Sequence, residues 1–193
     1  MNYHQKLHSI LLAALLLCGA VTMAQSNDNL LKNGNLEEAN AEGTWAANWP
    51  KDKVGGVTWE TEDGNHFLRF TQKTPGEMIL LYTNVTFPKE AKKVKLSYRV
   101  RYSNVVAGEQ AWFDARFMMK FMDAPWNGKE IKPGPKVPNF KGDSNGWQEK
   151  SQVIDIPEGA KALAFMPCLF KVESGTMDID DISFTVVTDQ PAQ

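Results

Sequence analysis

The sequence predicts an all-β protein, a β-sandwich of two antiparallel sheets. In segment 94–102 every second residue is apolar, and lysine, serine or arginine stands between. That period of two is typical of a strand with one face on a core. Turn residues such as those at 62–65 and 157–159 separate similar segments at short intervals. Short, regularly spaced strands indicate a sandwich or barrel, and we expect a sandwich of jelly-roll type.

Eight segments are predicted as strands, namely 57–60, 66–71, 77–87, 94–102, 110–122, 149–156, 162–170 and 177–187. Segment 110–122 also fits a helix, because Phe113, Phe117 and Phe121 are spaced by four. The strand is preferred, since the period-two separation of its charged residues is cleaner. Segment 123–146 is rich in proline and glycine and lacks alternation. A loop of that length is either functional or a solvated connection.

The first 24 residues predict a secretory signal peptide. Lys6 precedes an apolar run at 10–17, and small residues lead to a cleavage site after Ala24. The run is too short to span a bilayer. Lipidation of Cys18 is an alternative, although Leu17 stands where a lipoprotein signal has a small residue. We therefore expect a secreted or periplasmic protein, with a surface lipoprotein as the alternative.

The remaining positions, 25–193, predict a single domain. Removing 24 of 193 residues leaves 169, enough for one sizeable core. The leader contains one base and no acid, so the formal charge becomes 20 minus 23, or −3. Without a basic block, nucleic acid is not an expected partner. Cys168 is then the sole cysteine and is expected to be a buried apolar side chain.

Two acidic motifs stand at opposite ends of the domain. Residues 29–37 read Asn-Leu-Leu-Lys-Asn-Gly-Asn-Leu-Glu, and residues 178–184 read Asp-Ile-Asp-Asp-Ile-Ser-Phe. If the first and last strands lie side by side, Glu37, Asp180 and Asp181 can converge on one hard cation. These motifs, with Gly-Trp at 146–147 and Pro-Glu-Gly-Ala at 157–160, resemble carbohydrate-binding modules of the family 4, 9 and 22 type.

The resemblance implies a structural calcium ion that joins the first loop to the last strand. Glu37 matches the glutamate of the motif and Asp181 its second aspartate, with Glu38 as an alternative to Glu37. Carbonyl oxygens near 33–35 and at 44–45 would complete the shell. We expect calcium to raise the melting temperature.

No catalytic motif stands out in the sequence. His66 is the only histidine after the leader, and no nucleophile elbow, zinc motif or phosphate loop is present. A glycosidase needs only two carboxylates, so Asp114 with Glu109 or Glu77 remains an alternative. Whether the chain is an enzyme is left open, and binding without catalysis is preferred.

A binding face for sugars combines a flat aromatic ring with planar polar groups. The outward side of segment 110–122 offers this mixture, and a neighbouring strand would add arginines. In the resembling families the ligand lies on the sheet face opposite the core. The candidate ligand-binding residues are Trp112, Asp114, Arg116, Arg99, Arg101, Tyr82 and Trp126.

The preferred function is therefore a secreted, non-catalytic protein that binds an oligo- or polysaccharide on a concave sheet face. The alternatives are a jelly-roll glycoside hydrolase or lyase, and an adaptor that binds proteins of the cell envelope. The sequence leaves open whether the arginines select acidic sugars or only form internal ion pairs.

Overall fold

The computed structural model describes residues 28–51 and 53–188. The predicted signal peptide and Cys18 lie outside the described residues. Within the described part, the regular elements are eleven strands, and no helix there is long and apolar enough to cross a membrane. The strands are β1 Val57–Glu62, β2 Asn65–Thr71, β3 Ile79–Leu80, β4 Thr83–Thr86, β5 Lys93–Val106, β6 Ala115–Met122, β7 Glu130–Ile131, β8 Asn139–Phe140, β9 Gln148–Asp155, β10 Ala162–Leu169 and β11 Ser174–Val186.

The strands form two antiparallel sheets. The five-stranded sheet has the order β1-β2-β11-β5-β9, with the two longest strands, β5 and β11, paired at its centre. In the six-stranded sheet β10 and β6 are central; β3 and β4 pair with β10, and β7 and β8 with β6. The predicted all-β sandwich is confirmed.

The core lies between the two sheets and follows the alternation in sequence. Leu96, Val100 and Ile179 face inward from the five-stranded sheet and are fully buried. From the other sheet, Phe165 meets Phe184 edge to face at a centroid distance of 5.2 Å. Burial of such large apolar side chains is the main favourable term in folding.

Strand β10 is buried along its whole length. Its inward residues belong to the core, whereas Ala162, Ala164 and Met166 form a second apolar cluster with Met122 on the outer face of the sheet. The predicted burial of Cys168, on the same strand, is confirmed. Burial raises the pKa of its thiol to about 12. The six-stranded sheet therefore has apolar side chains on both faces.

Two predicted strands are shorter than expected. Segment 110–122 is a strand only from Ala115 onward. Before it the chain turns, with the amide of Phe113 donating to the carbonyl of Gln110 at 2.9 Å. Segment 77–87 is divided into β3 and β4.

The first described segment docks against the last strand, as the terminal motifs predict. The amide of Leu30 donates to the carbonyl of Phe184 at 2.8 Å. Asn29 Nδ2 donates to the carbonyl of Ile182 at 2.8 Å, and Asn29 Oδ1 accepts the amide of Phe184 at 2.9 Å. The opening segment thus adds hydrogen bonds to β11 besides those that β11 makes with its sheet neighbours β2 and β5.

Candidate functional site

The candidate site is the outer face of the six-stranded sheet. Alternation along β6 points Arg116, Met118 and Lys120 away from the core. Arg116 pairs in register with Cys168 of β10 and, on its other side, with Asn139 of β8. We call this surface the outer face; the predicted residues Trp112, Asp114, Arg116, Tyr82 and Trp126 are all grouped on it or at its ends.

One end of the outer face carries an aromatic group made of Trp112, Phe113 and Phe170. The Trp112 ring lies 4.4 Å from Phe113 and 5.7 Å from Phe170, centroid to centroid. Trp112 nevertheless remains 55% exposed. The ring is therefore supported from behind and open in front, which is the arrangement a stacking ligand requires.

Arg116 is held beside this aromatic group by a buried carboxylate. Its Nε donates to Asp114 Oδ1 at 2.6 Å, its Nη2 donates to the carbonyl of Trp112, and its guanidinium lies over Phe170 at 5.3 Å. Asp114 is only 1% exposed and also accepts Asn139 Nδ2 at 3.1 Å. The outward Asp114 expected from the sequence is corrected here, because its carboxylate turns under Arg116 and cannot reach a ligand.

The other end of the outer face carries Tyr82 and Trp126. Their ring centroids are 5.9 Å apart, and the amide of Trp126 donates to Asn84 Oδ1 at 3.3 Å. Trp126 has a positive φ of 65°, so a left-handed backbone turns it back over β4. With 59% of its surface exposed, it is a second open aromatic side chain.

Between the aromatic groups, the floor of the outer face is largely apolar. Met118 and Leu80 pack against the small cluster on β10. Lys120 borders the floor, paired with Glu130 at 2.8 Å. Arg116 and Lys120 are four residues apart on one strand, a distance of about 13 Å. The two open tryptophans therefore stand at opposite ends of a surface that is at least about 13 Å long.

Sequence reasoning missed Phe170 and Asn84, which support the two tryptophans. Phe170 follows the last residue of β10 and lies at the end of the strand that the sequence predicts over 162–170. Phe170 lies two residues after Cys168 and four after Met166, and both of these point outward. That spacing along the strand could have identified Phe170 as an outward residue. Asn84 offered no such signal, since its contact depends on the fold of a distant loop.

Arg99 and Arg101 do not border this surface. Strand β5 lies in the five-stranded sheet, between β11 and β9, and is not a neighbour of β6. The expectation that the two arginines extend the same face was therefore wrong. They stand on the outer side of the opposite sheet, where each lies over the ring of Trp147 at 4.9 Å and 4.6 Å.

The arginines of the five-stranded sheet are engaged in ion pairs. Arg101 Nε donates to Asp178 at 2.8 Å, and its Nη1 donates to Glu62 at 2.9 Å. Arg69 forms a two-point pair with the same Asp178, at 2.8 and 2.9 Å. Hydrogen bonds from Arg101 and Trp147 lower the pKa of Glu62. Internal pairing, one of the two roles left open by the sequence, accounts for these arginines.

The first predicted metal ligand, Glu37, is bound by His66. One carboxylate oxygen accepts the amide of His66 at 2.8 Å, and the other lies 2.9 Å from its Nδ1. Burial acts to raise the pKa of Glu37, but the hydrogen bonds from His66 outweigh it and hold that pKa below the usual value. Because the carboxylate only accepts, Nδ1 of His66 carries the proton. The ring is stacked on Trp59 at 4.4 Å.

The other two predicted ligands lie at a β-bulge in β11, where Asp180 borders the bulge and Asp181 is part of it. Asp180 is fully buried, and its oxygens accept Asn65 Nδ2 at 2.9 Å and the amide of Asp181 at 2.6 Å. Arg99 Nη1 lies 3.4 Å from both aspartates. Burial raises the pKa of Asp180, and these hydrogen bonds offset the effect only in part.

The fit of these residues to a calcium ion is incomplete. Within residues 28–51 and 53–188, no three acidic, histidine or cysteine side chains are grouped as metal ligands. Glu37 and Asp180 already use both of their oxygens within the protein. Asp181 is half-exposed, and its carboxylate is paired with Arg99 at 3.4 Å. Calcium binding by Glu37, Asp180 and Asp181 stays a prediction.

The fold is similar to that of solved carbohydrate-binding modules. A family 16 module superposes with a TM-score of 0.56 and 15% identity over 81% of this chain and 99% of that chain. A family 4 module gives 0.53 and 14% over 81% and 99%. The enzymatically active domain of bacteriophage CBA120 tailspike protein 4 gives 0.62 and 14%, over 82% of this chain but 21% of that chain.

These similarities confirm a fold of the carbohydrate-binding-module type. No protein-family model matches the chain, and no curated protein matches its sequence. At identities near 15% the likeness concerns the fold alone, so a ligand has to be argued from the side chains of the outer face.

Proposed function

We propose that this chain is a secreted, non-catalytic protein that binds an oligo- or polysaccharide across the outer face of the six-stranded sheet. One observation carries the proposal: Trp112 and Trp126, each more than half exposed, stand at opposite ends of a single sheet face. Large aromatics are normally among the more buried residues, so two open ones on one face indicate a ligand.

The polar groups beside the rings suit a sugar. Arg116 is fixed in orientation by Asp114 and by the Trp112 carbonyl, so little side-chain entropy is lost when it donates to a hydroxyl. Lys120 and Asn139 flank the same surface. A pyranose presents an apolar ring face and a rim of hydroxyl groups, which matches open indole rings bordered by donors.

Binding without catalysis is supported by the state of Asp114. A glycosidase needs two carboxyl groups facing the scissile bond. Asp114 is buried beneath Arg116, and Glu130, another acid of this face, is paired with Lys120. Secretion is supported by the leader-like sequence at 1–24. The names of the similar structures, two of them carbohydrate-binding modules, support the ligand class.

The test is affinity electrophoresis of the full chain in gels that contain soluble polysaccharides, followed by titration of the best ligand. We expect retarded migration, and about fivefold weaker binding in Trp112→Ala and in Trp126→Ala, since stacking contributes roughly 1 kcal/mol per ring. Trp147→Ala, on the opposite sheet, is the matched control and should keep the wild-type affinity.

Two other outcomes would replace the proposal. Release of new reducing ends from a polysaccharide would establish a glycan-cleaving enzyme. Binding to no glycan, with capture of a cell-envelope protein that Trp112→Ala abolishes, would establish an adaptor on the same face.

A further inference from the structure

We propose that the closure between the opening segment and β11 is independent of calcium, because Arg99 and His66 occupy the places where a cation would act. This inference concerns the side of the molecule away from the outer face of the six-stranded sheet. It therefore stands or falls independently of glycan binding.

The first step of the argument is the state of the oxygen atoms that a calcium ion would need. Calcium takes six to eight oxygens, largely carboxylates and carbonyls. The carbonyls of Asn33 and Gly34 already accept Trp49 Nε1 at 2.9 Å and the amide of Ile182 at 2.8 Å. The carbonyl of Trp45 accepts a backbone amide at 2.8 Å. A carbonyl oxygen has two lone pairs, so each of these atoms can offer a bound ion at most one.

The second step is the charge on the acidic side chains. The guanidinium of Arg99 lies 3.4 Å from a carboxylate oxygen of Asp180 and of Asp181, so one cation serves two acids. Arginine is always charged, and here its Nη1 lies between the two carboxylates. Trp147 covers Arg99 from above. A buried Asp180 without a cation or hydrogen bonds would be strongly destabilising, and this chain supplies both from its own residues.

The third step is the partner of Glu37. His66 donates to both of its oxygens, once from the backbone and once from the ring. The ring is fixed by stacking on Trp59, whose Nε1 in turn donates to the carbonyl of Leu36 at 3.0 Å. Glu37 is thus tied to β2 through both of its carboxylate oxygens.

The fourth step is the contact between the two ends of the domain. Asn29 binds the backbone of Ile182 and of Phe184, and Gly34 accepts the amide of Ile182. These hydrogen bonds join the opening segment to β11 directly. An ion is not required to bridge a gap, because the backbones are already within hydrogen-bonding distance.

The test is thermal unfolding of the full chain in millimolar calcium and in excess chelator. A tightly bound ion at a hundred times its dissociation constant would shift the melting temperature by roughly 5–10 °C. We expect the melting curves in calcium and in chelator to coincide. We also expect elemental analysis of protein prepared without chelator to find no bound calcium. A separation of several degrees, or one ion per chain, would overturn the inference and establish the calcium site instead.

A double variant tests the assigned roles. His66→Gln with Arg99→Gln removes the ring and guanidinium contacts from the three carboxylates, so calcium should now raise its melting temperature. Arg101→Gln should show no calcium response because Asp178 keeps Arg69. A folded double variant that ignores calcium would refute the assignment of His66 and Arg99. If the double variant does not fold, the wild-type curves still decide, and glycan binding is measured separately in both media.

Discussion

Gly34 and Ile182 are joined backbone to backbone, with the Ile182 amide donating to the Gly34 carbonyl at 2.8 Å. The approach is so close that a β-carbon on Gly34 would lie 1.9 Å from the Ile182 carbonyl oxygen. Only glycine fits there, which gives a physical reason for the Asn-Gly pair in the first acidic motif. The position links the opening of the domain to its last strand.

Replacing Gly34 by alanine should therefore separate these segments. We expect a loss of more than about 3 kcal/mol in the free energy of unfolding, because backbone atoms cannot yield to the added methyl group. Urea denaturation measures the change. Gly43→Ala is the matched control: its φ is +68° but nothing lies within 4 Å, so only backbone strain of about 1 kcal/mol is expected. Equal losses would contradict the steric explanation.

Asp114→Asn should weaken both folding and binding. Arg116 would lose its charged partner inside the protein, at a cost of about 2–3 kcal/mol, and its guanidinium would no longer be fixed beside Trp112. Calorimetric titration with the bound glycan should show about tenfold lower affinity. Glu130→Gln, which removes an exposed ion pair, is expected to leave stability unchanged. An Asp114→Asn protein with full affinity would show that Arg116 does not contact the ligand.

Arg101→Gln should leave glycan affinity unchanged while lowering stability. Its guanidinium links Asp178 to Glu62 on the far sheet and contacts no residue of the outer face. The same titration and a melting curve check the two effects. Weaker glycan binding at unchanged stability would restore this residue to the binding surface.

Alkaline pH should destabilise the protein through Tyr98. Burial raises the pKa of Tyr98 from 10.0 to about 12. A raised pKa in the folded state means that stability is complete below pH 10 and is lost as pH rises toward 12. Cys168 adds to the same decline from about pH 9, because burial raises its pKa also to about 12. Tyr98→Phe should flatten the fall in melting temperature between pH 10 and 12, and an unchanged slope would contradict this assignment.

Alternation and terminal motifs were enough to predict the fold. The period of two along β5 follows from one face on the core, and the meeting of the two termini follows from Asn29 and Gly34 at one end and the Asp-Asp pair at the other. The alternation of apolar and polar residues, however, is the same whichever of the two sheets a strand belongs to. The chain between β5 and β6 crosses from one sheet to the other, so the outward arginines of β5 were assigned to the wrong surface.

The sequence predicted the aromatic part of the candidate site, namely Trp112 and Trp126. The orientation of Asp114 was not predicted correctly, because a turn before β6 ended the alternation on which its prediction rested. The partner of Glu37 was equally hidden. His66 is brought to it by the pairing of distant segments, and neither residue carries a local signal of the other.

The docking of the opening segment on β11 means that the domain is almost a closed ring of polypeptide. Asn29 and Phe184 are hydrogen-bonded, so a short linker from 188 back to 28 would bridge little space. New termini at the exposed turn of Asp63 and Gly64 would then give a circular permutant in which every sheet contact is preserved. The fold depends on which segments are neighbours in space, and the position of the chain termini matters less.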